Sequence, residues 1–161
     1  MKTPIFQSAE IQQRYEDVGY HRKPLLSPQK VQSLVALHDE LHTGTHQGFH
    51  TSTFSHDLGY RKAVHEGILE VIGPELDRVF AGYKVNCCSF IVKYPGANSA
   101  LSIHQDMSLI EEWKHNGINA WIPMHDLDAS NSPLFVLPHS HKMFPYWRAT
   151  TIPFPYRGLG G

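Results

Sequence analysis

The sequence predicts an α+β domain in which helices come first and β-strands follow. Residues 1–82 carry helical periodicity and capping signals, whereas residues 83–161 carry short β-branched and aromatic runs bounded by turn residues. Such segregation is typical of α+β folds, and several short strands in series indicate a sandwich or jelly roll. With 161 residues, 41% of them hydrophobic, the chain has room for one core. We therefore expect residues 1–161 to form a single domain.

Three helices are predicted in the first half of the chain. Ser27 and Pro28 form a helix start, and the apolar side chains after them recur near a 3.6-residue period. The Gly-, Thr- and His-rich residues 43–53 predict a loop. Gly73-Pro74 and Gly82 are expected to end the later helices. The predicted helices run over Pro28–His42, from Ser55 or Asp57 through Ile72, and over Pro74–Phe80.

Strand-like segments follow Gly82. They are rich in β-branched and aromatic residues or alternate between apolar and polar ones. The only cysteines, Cys87 and Cys88, are adjacent in the first segment, where neighbouring side chains of a strand point to opposite faces. We expect two reduced, buried thiols rather than a strained vicinal disulfide. The predicted strands are Lys84–Tyr94, Ser99–Asp106, Ile118–Met124 and Leu134–Leu137.

The charge and hydropathy of the sequence limit the classes of molecule that the protein is expected to bind. Lys and Arg total 14 against 15 acidic residues, and no run of like charge stands out. Neither nucleic acid nor a membrane surface is indicated, so we expect a small-molecule substrate. The first ten residues contain no apolar signal region, and no apolar stretch reaches about 18 residues. These features predict a cytoplasmic protein.

A histidine and a carboxylate two residues apart are the strongest candidates for chemistry. In an extended strand His104 and Asp106 project to the same face and could bind one cation. They supply two thirds of the 2-His-1-carboxylate triad of non-haem Fe(II) oxygenases. Taken alone, His-x-Asp is a weak signal in a chain with 12 histidines. The preceding strand and Pro95-Gly96 turn, and a downstream strand containing Trp121, strengthen it.

The other histidines are weaker candidates. His38 and His42 have the i, i+4 spacing of a helical metal site, and His46 and His50 continue at intervals of four. Glycines interrupt this tract, and it has no acidic residue placed as in a helical zinc motif, so we do not predict a site there. His139 and His141 could bind a metal, but we favour hydrogen bonds to the backbone for both. Arg148 and Arg157 could pair with a carboxylate, but we favour exposure to solvent for both.

Four ordered motifs resemble the phytanoyl-CoA dioxygenase family. They are Lys93-Tyr94-Pro95-Gly96, Ser102-Ile103-His104-Gln105-Asp106, Asn119-Ala120-Trp121-Ile122-Pro123-Met124-His125-Asp126, and Asn131 followed by Leu134-Phe135-Val136-Leu137-Pro138-His139-Ser140-His141-Lys142. The resemblance covers roughly Gly82 to Lys142, with a further likeness around Gly19-Tyr20 and Leu26-Ser27-Pro28. It implies an Fe(II)- and 2-oxoglutarate-dependent dioxygenase, an oxidoreductase built on a double-stranded β-helix, or jelly roll, with helices packed outside it.

The resemblance also implies roles for individual residues. His104 and Asp106 would be metal ligands for iron, and Gln105 and Trp121 would lie near the 2-oxoglutarate pocket. His141 corresponds to the histidine of a Pro-Gly-Ser-His segment, which is not the third iron ligand of the family. The chain has Ser132 and His139 where the family has Gly. Both positions fall in predicted turns, where glycine would supply a positive φ.

The end of the chain departs further from the family pattern. The third ligand and the basic residue for 2-oxoglutarate come after the Pro-Gly-Ser-His segment, yet no histidine follows His141. Ile152–Gly158 resembles the start of the next family stretch. We expect an incomplete chain or an iron site that has been lost, with exposed strand edges that favour oligomers or low solubility. Two alternatives stay open, namely a non-catalytic jelly-roll binding or structural module, and recruitment of His139 or His141 as the third ligand.

Overall fold

The structure, a computed structural model, describes residues 3–44, 47–96, 101, 103–106, 108–131 and 133–143. Within these residues lie three α-helices and two short β-strands, with 3-10 turns at Ser52–Phe54 and Ser140–Lys142. None of the helices is both long enough and apolar enough to cross a membrane, as judged over the described residues. The elements are α1 (Ala9–Val18), α2 (Pro28–Leu41), β1 (Phe49–Thr51), α3 (Leu58–Leu76) and β2 (Ile91–Lys93).

Helix α1 was not predicted, although its two ends carry clear local signals. The Ser8 hydroxyl accepts a hydrogen bond from the Ile11 N–H, which is the usual role of a serine N-cap. Gly19 ends the helix with φ 93°, and its N–H donates to the Tyr15 carbonyl. No residue of α1 is fully buried. Ile11, Tyr15 and Val18 nevertheless recur at helical spacing and are half-buried, so the sequence did carry an apolar stripe that the prediction overlooked.

Helices α2 and α3 pack together and form the core. The prediction for α2 is confirmed to within one residue, because the Ser27 hydroxyl caps the Lys30 N–H and Pro28 occupies the first turn. Gly67 of α3 faces Leu37 of α2, and a Cβ at Gly67 would stand 2.7 Å from a Leu37 methyl. The glycine therefore permits a close helix crossing. The buried core cluster consists of Leu34, Val64, Ile68, Ile72, Leu76 and Phe90.

The predicted break at Gly73-Pro74 is wrong, because α3 continues without interruption to Leu76. A proline inside a helix removes one N–H bond and crowds the preceding turn. Ile72 and Leu76 lie one turn apart on the same face and are both buried, with 6% and 5% of their surface exposed. Full burial of such a side chain contributes about 1.5–3 kcal/mol. Burial of Leu76 thus favours one helix where the local pattern indicated two.

The sheet consists of β1 and β2, which pair antiparallel with Phe49 opposite Lys93 and Thr51 opposite Ile91. The prediction of a loop over residues 43–53 is therefore wrong at Phe49–Thr51, where a strand forms. The predicted strand Lys84–Tyr94 is reduced to Ile91–Lys93. Strands of three residues are too short for an alternation of apolar and polar side chains to reveal them in the sequence.

The remaining predicted strands do not join this sheet. Residues 118–124 and 134–137 are irregular, and the described part of 99–106 is irregular too. The apolar side chains of 134–137 are largely exposed, with Phe135 at 85% and Leu137 at 60%, whereas Ile122 and Met124 are partly buried against the core. A strand needs a neighbouring backbone to satisfy its polar groups. Three helices and one small sheet fit the α+β class. The described residues do not amount to a jelly roll.

Candidate metal site

His104 and Asp106 lie together, as their spacing predicted. The Nε2 atom of His104 is 3.2 Å from Oδ1 of Asp106. The two side chains are 33% and 54% exposed, so the pair is open to solvent. The backbone around them is irregular rather than a paired strand. The i, i+2 spacing therefore brings the groups together without a β-ladder.

Asn119 is a site residue to which the sequence analysis gave no role. Its Nδ2 donates a hydrogen bond of 2.6 Å to Oδ2 of Asp106. Asp106 thus has one oxygen directed to an amide and the other directed to His104. Partners of this kind orient metal-binding carboxylates. The only sign of this role in the sequence was the position of Asn119, two residues before Trp121 in a segment that was expected to border the pocket.

The geometry of the pair fits two neighbouring ligands of one metal ion. Nitrogen and oxygen ligands bind such ions at about 2.0–2.2 Å, so two of them at a right angle stand roughly 3 Å apart. The observed 3.2 Å between Nε2 and Oδ1 matches that separation. Among the described residues, however, no group of three His, Cys, Asp or Glu side chains could hold a metal ion. The described part of the site consists of a ligand pair and the amide that orients it.

Gln105 and Trp121, the two residues expected near 2-oxoglutarate, are both accessible to solvent. Gln105 lies between the two candidate ligands in the chain and is exposed. Trp121 is 45% exposed and follows Asn119 by two residues. The roles of Gln105 and Trp121 toward 2-oxoglutarate stay predictions.

His139 and His141 lie elsewhere, at the carboxyl end of α1. His139 Nδ1 donates to the Asp17 carbonyl at 2.8 Å, and the His139 backbone N–H donates to the Val18 carbonyl at 2.8 Å. His141 Nε2 donates to the Glu16 carbonyl at 2.9 Å. The preference for backbone hydrogen bonding at these histidines is confirmed. Neither one belongs to a three-residue metal group within the described chain.

The turn at His139 has the backbone conformation that glycine favours. His139 has φ 63°, the only positive φ among the described residues other than glycine. The resembled family has Gly at this position, and His139 adopts the positive φ that glycine would supply. The second departure from the family pattern, Ser132, lies outside the described residues, as do Arg148, Arg157 and the segment 152–158.

The histidine tract forms a packed cluster at the end of α2. The rings of His38 and His42 stack at 4.7 Å, and His50 lies 5.0 Å from His42. The Nε2 atom of His42 is 2.7 Å from the Tyr94 hydroxyl, which links α2 to the end of the sheet. His46 lies outside the described residues. The described histidines of the tract therefore contact one another and Tyr94.

Comparison with known proteins identifies one family. The model of the phytanoyl-CoA dioxygenase family matches residues 36–157, which is more than half of the chain. The matched region begins inside α2 and contains His104, Asp106 and Asn119, whereas α1 lies before it. No curated protein and no solved structure matches the chain.

Proposed function

Because this chain belongs to the phytanoyl-CoA dioxygenase family, we propose that it is an Fe(II)- and 2-oxoglutarate-dependent dioxygenase whose iron ligands include His104 and Asp106. Proteins of this family generally use Fe(II) and 2-oxoglutarate. The proposal rests above all on the 3.2 Å separation of Nε2 and Oδ1 inside the matched region. A jelly-roll arrangement of the carboxyl-terminal half and a small-molecule substrate are parts of the same proposal.

Each residue of the site has a defined task in this function. His104 would present Nε2 to the metal while Asp106 presents Oδ1. Asn119 would hold the second oxygen of Asp106, so that the carboxylate keeps one orientation. Gln105 and Trp121 would border the bound 2-oxoglutarate and limit access of water. Iron with 2-oxoglutarate, when bound, supplies the oxygen activation needed to hydroxylate a substrate C–H bond.

The complete site would need a third protein ligand, because the facial triad of such oxygenases has two histidines and one carboxylate. His139 and His141 do not serve, since both donate to carbonyls of α1. With two protein ligands we expect weak iron binding. Loss of an outer partner that only orients a ligand commonly lowers metal affinity about 10-fold to 100-fold, and a missing ligand should cost at least as much.

An anaerobic titration with Fe(II) and 2-oxoglutarate tests the proposal. The wild-type chain should develop a weak visible charge-transfer band, and His104→Ala should abolish it. Asn119→Ala should weaken Fe(II) binding by about 10-fold, because Asp106 loses its orienting amide. His125→Ala is the matched control, since it removes an exposed histidine of the same region and should leave the band intact. Absence of a band in the wild-type chain, or its survival in His104→Ala, would refute the assignment.

A second candidate is a non-catalytic binding module of the same family. It is favoured by one observation, namely that the described residues contain no three-residue metal group. In that case His104→Ala would leave ligand binding unchanged, and the wild-type chain would give no Fe(II) band while circular dichroism still reported folded helices. The titration therefore separates the two functions.

A further inference from the structure

A positively charged cleft lies beside α1, before the region that matches the family. It has a volume of about 540 Å³. Arg14 and Val18, one turn apart on α1, form one side, and the segment 20–24 forms the other. The chain reverses between them at Gly19, whose φ of 93° suits glycine. The reversal brings cations from two parts of the chain to the same space.

The lining of the cleft is rich in positive charge. Arg14, Arg22 and Lys23 all line it, and no acidic residue is among its lining. Within the described chain, none of the three takes part in an ion pair. Several other cations of the protein do have carboxylate partners. These are Lys30, Lys62, Arg78, Lys114 and Lys142. Since the whole chain has a formal net charge of −1, this local excess is distinctive.

His21 adds a buried imidazole nitrogen at the same place. It lines the cleft, and its Nε2 atom is buried with no hydrogen-bond partner among the described residues. Its ring packs edge-on against Phe6 at 5.7 Å, which fixes the imidazole. Burial lowers the pKa of His21, and the charges of Lys23 and Arg14 lower it further. All of these effects disfavour a positive imidazole, and a bound anion would offset the effect of the two cations.

We propose that the cleft lined by Arg14, His21, Arg22 and Lys23 binds a small ligand through a phosphate or diphosphate group. Arginine presents a planar fork of donors that matches phosphate oxygens, and two arginines with a lysine can neutralise two to three negative charges. The volume lies within the range of small-molecule sites. Tyr20, which is 40% exposed, offers an aromatic face to an organic part of such a ligand.

The proposed anion site does not depend on the iron site. Its lining contains neither His104 nor Asp106, and every lining residue precedes residue 36, where the family match begins. Binding can therefore be measured without iron or 2-oxoglutarate. Failure of the iron titration would leave this inference intact, and the reverse is also true.

Calorimetric titration of the full chain with inorganic pyrophosphate at low ionic strength is the test. We expect saturable binding at one site. Arg14→Gln and Arg22→Gln should each weaken it about 10-fold to 100-fold, the effect of one hydrogen bond to a charged group. Arg61→Gln is the matched control, because it removes the same charge from a different cleft and should change the dissociation constant by less than about twofold. Circular dichroism verifies that each variant is folded.

Two further probes identify the source of the phosphate group. Tighter binding of phenyl phosphate than of inorganic phosphate would indicate a phosphorylated organic ligand that also contacts Tyr20. Tighter binding of pyrophosphate than of either would indicate a diphosphate. Absence of saturable binding for all three anions would overturn the proposal. If Arg61→Gln weakened anion binding as much as Arg14→Gln, the effect would reflect the net charge of the protein rather than one site. That result would overturn the proposal as well.

Discussion

The contact between Gly19 and His141 provides a sharp test of how the two ends of the described chain fit together. Gly19 ends α1 with φ 93°, and a Cβ built there would overlap the imidazole of His141. That imidazole donates to the Glu16 carbonyl at 2.9 Å. Gly19→Ala should therefore strain the backbone and displace a hydrogen-bonded ring at the same time.

The expected loss of stability has two parts. A residue with a Cβ in a left-handed conformation costs about 1–2 kcal/mol. Displacing His141 loses one net hydrogen bond, worth about 1 kcal/mol. Gly19→Ala should lower the free energy of unfolding by about 2–3 kcal/mol, and His141→Ala alone by about 1 kcal/mol. Because the same hydrogen bond cannot be lost twice, the double variant should cost no more than Gly19→Ala.

Urea denaturation followed by circular dichroism measures these differences, with the m-values compared between variants. The coupling energy between the two substitutions should be about 1 kcal/mol. Gly82→Ala is the matched control, since Gly82 has φ 53° but no atom within 4 Å of the added Cβ. It should show the backbone cost alone and no coupling to His141. Additive effects of Gly19→Ala and His141→Ala, within about 0.3–0.5 kcal/mol, would refute the contact.

Two further predictions concern titrating groups. Glu75 accepts hydrogen bonds from Lys30 and Arg78, and the bond from Lys30 is the largest cause of its lowered pKa. A carboxyl whose pKa is lower in the folded state stabilises the fold above its ordinary value of 4.5, and that stability is lost as the pH falls through the folded pKa. The urea midpoint should thus fall more between pH 7 and pH 3 for the wild type than for Glu75→Gln, and equal falls would contradict the ion pairs. Burial, and next the charge of Cys87, raises the pKa of the Cys88 thiol to about 11. At pH 8, Cys87→Ser should react with iodoacetamide only slowly until urea is added, whereas rapid reaction would show that Cys88 is accessible.

Local signals predicted the elements that carry their own boundaries. Ser27 and Pro28 set the start of α2, and the apolar period set its length to within one residue. The same kind of reasoning placed a false end at Gly73-Pro74, because the burial of Leu76 against the core depends on α2, which lies more than 30 residues earlier. Strand β1 was missed because its three residues gain their structure only from pairing with Ile91–Lys93.

In the candidate site too, local spacing predicted some contacts, whereas others depend on how distant segments fold together. The i, i+2 spacing was enough to predict that the side chains of His104 and Asp106 lie close together. The role of Asn119 could not be predicted, because it comes from a segment 13 residues beyond Asp106 and depends on how that segment folds back. The positive φ of His139 was not predicted, because the replacement of the family's glycine left the geometry of this turn open. The hydrogen bonds that stabilise that turn come from α1, more than 120 residues away in the chain.

The carboxyl end of α1 connects the family region of the chain to the part that precedes it. The last carbonyls of a helix carry partial negative charge and lack intrahelical donors. Here His139 and His141 supply those donors, and Lys142 pairs with Asp17 at 2.8 Å. Gly19 then turns the chain away from the helix, and the next five residues line the positively charged cleft. One glycine thus allows the docking of the residue 139–142 turn and shapes the anion site, so the histidines of that turn act in this chain as a cap for α1 rather than as ligands for a metal.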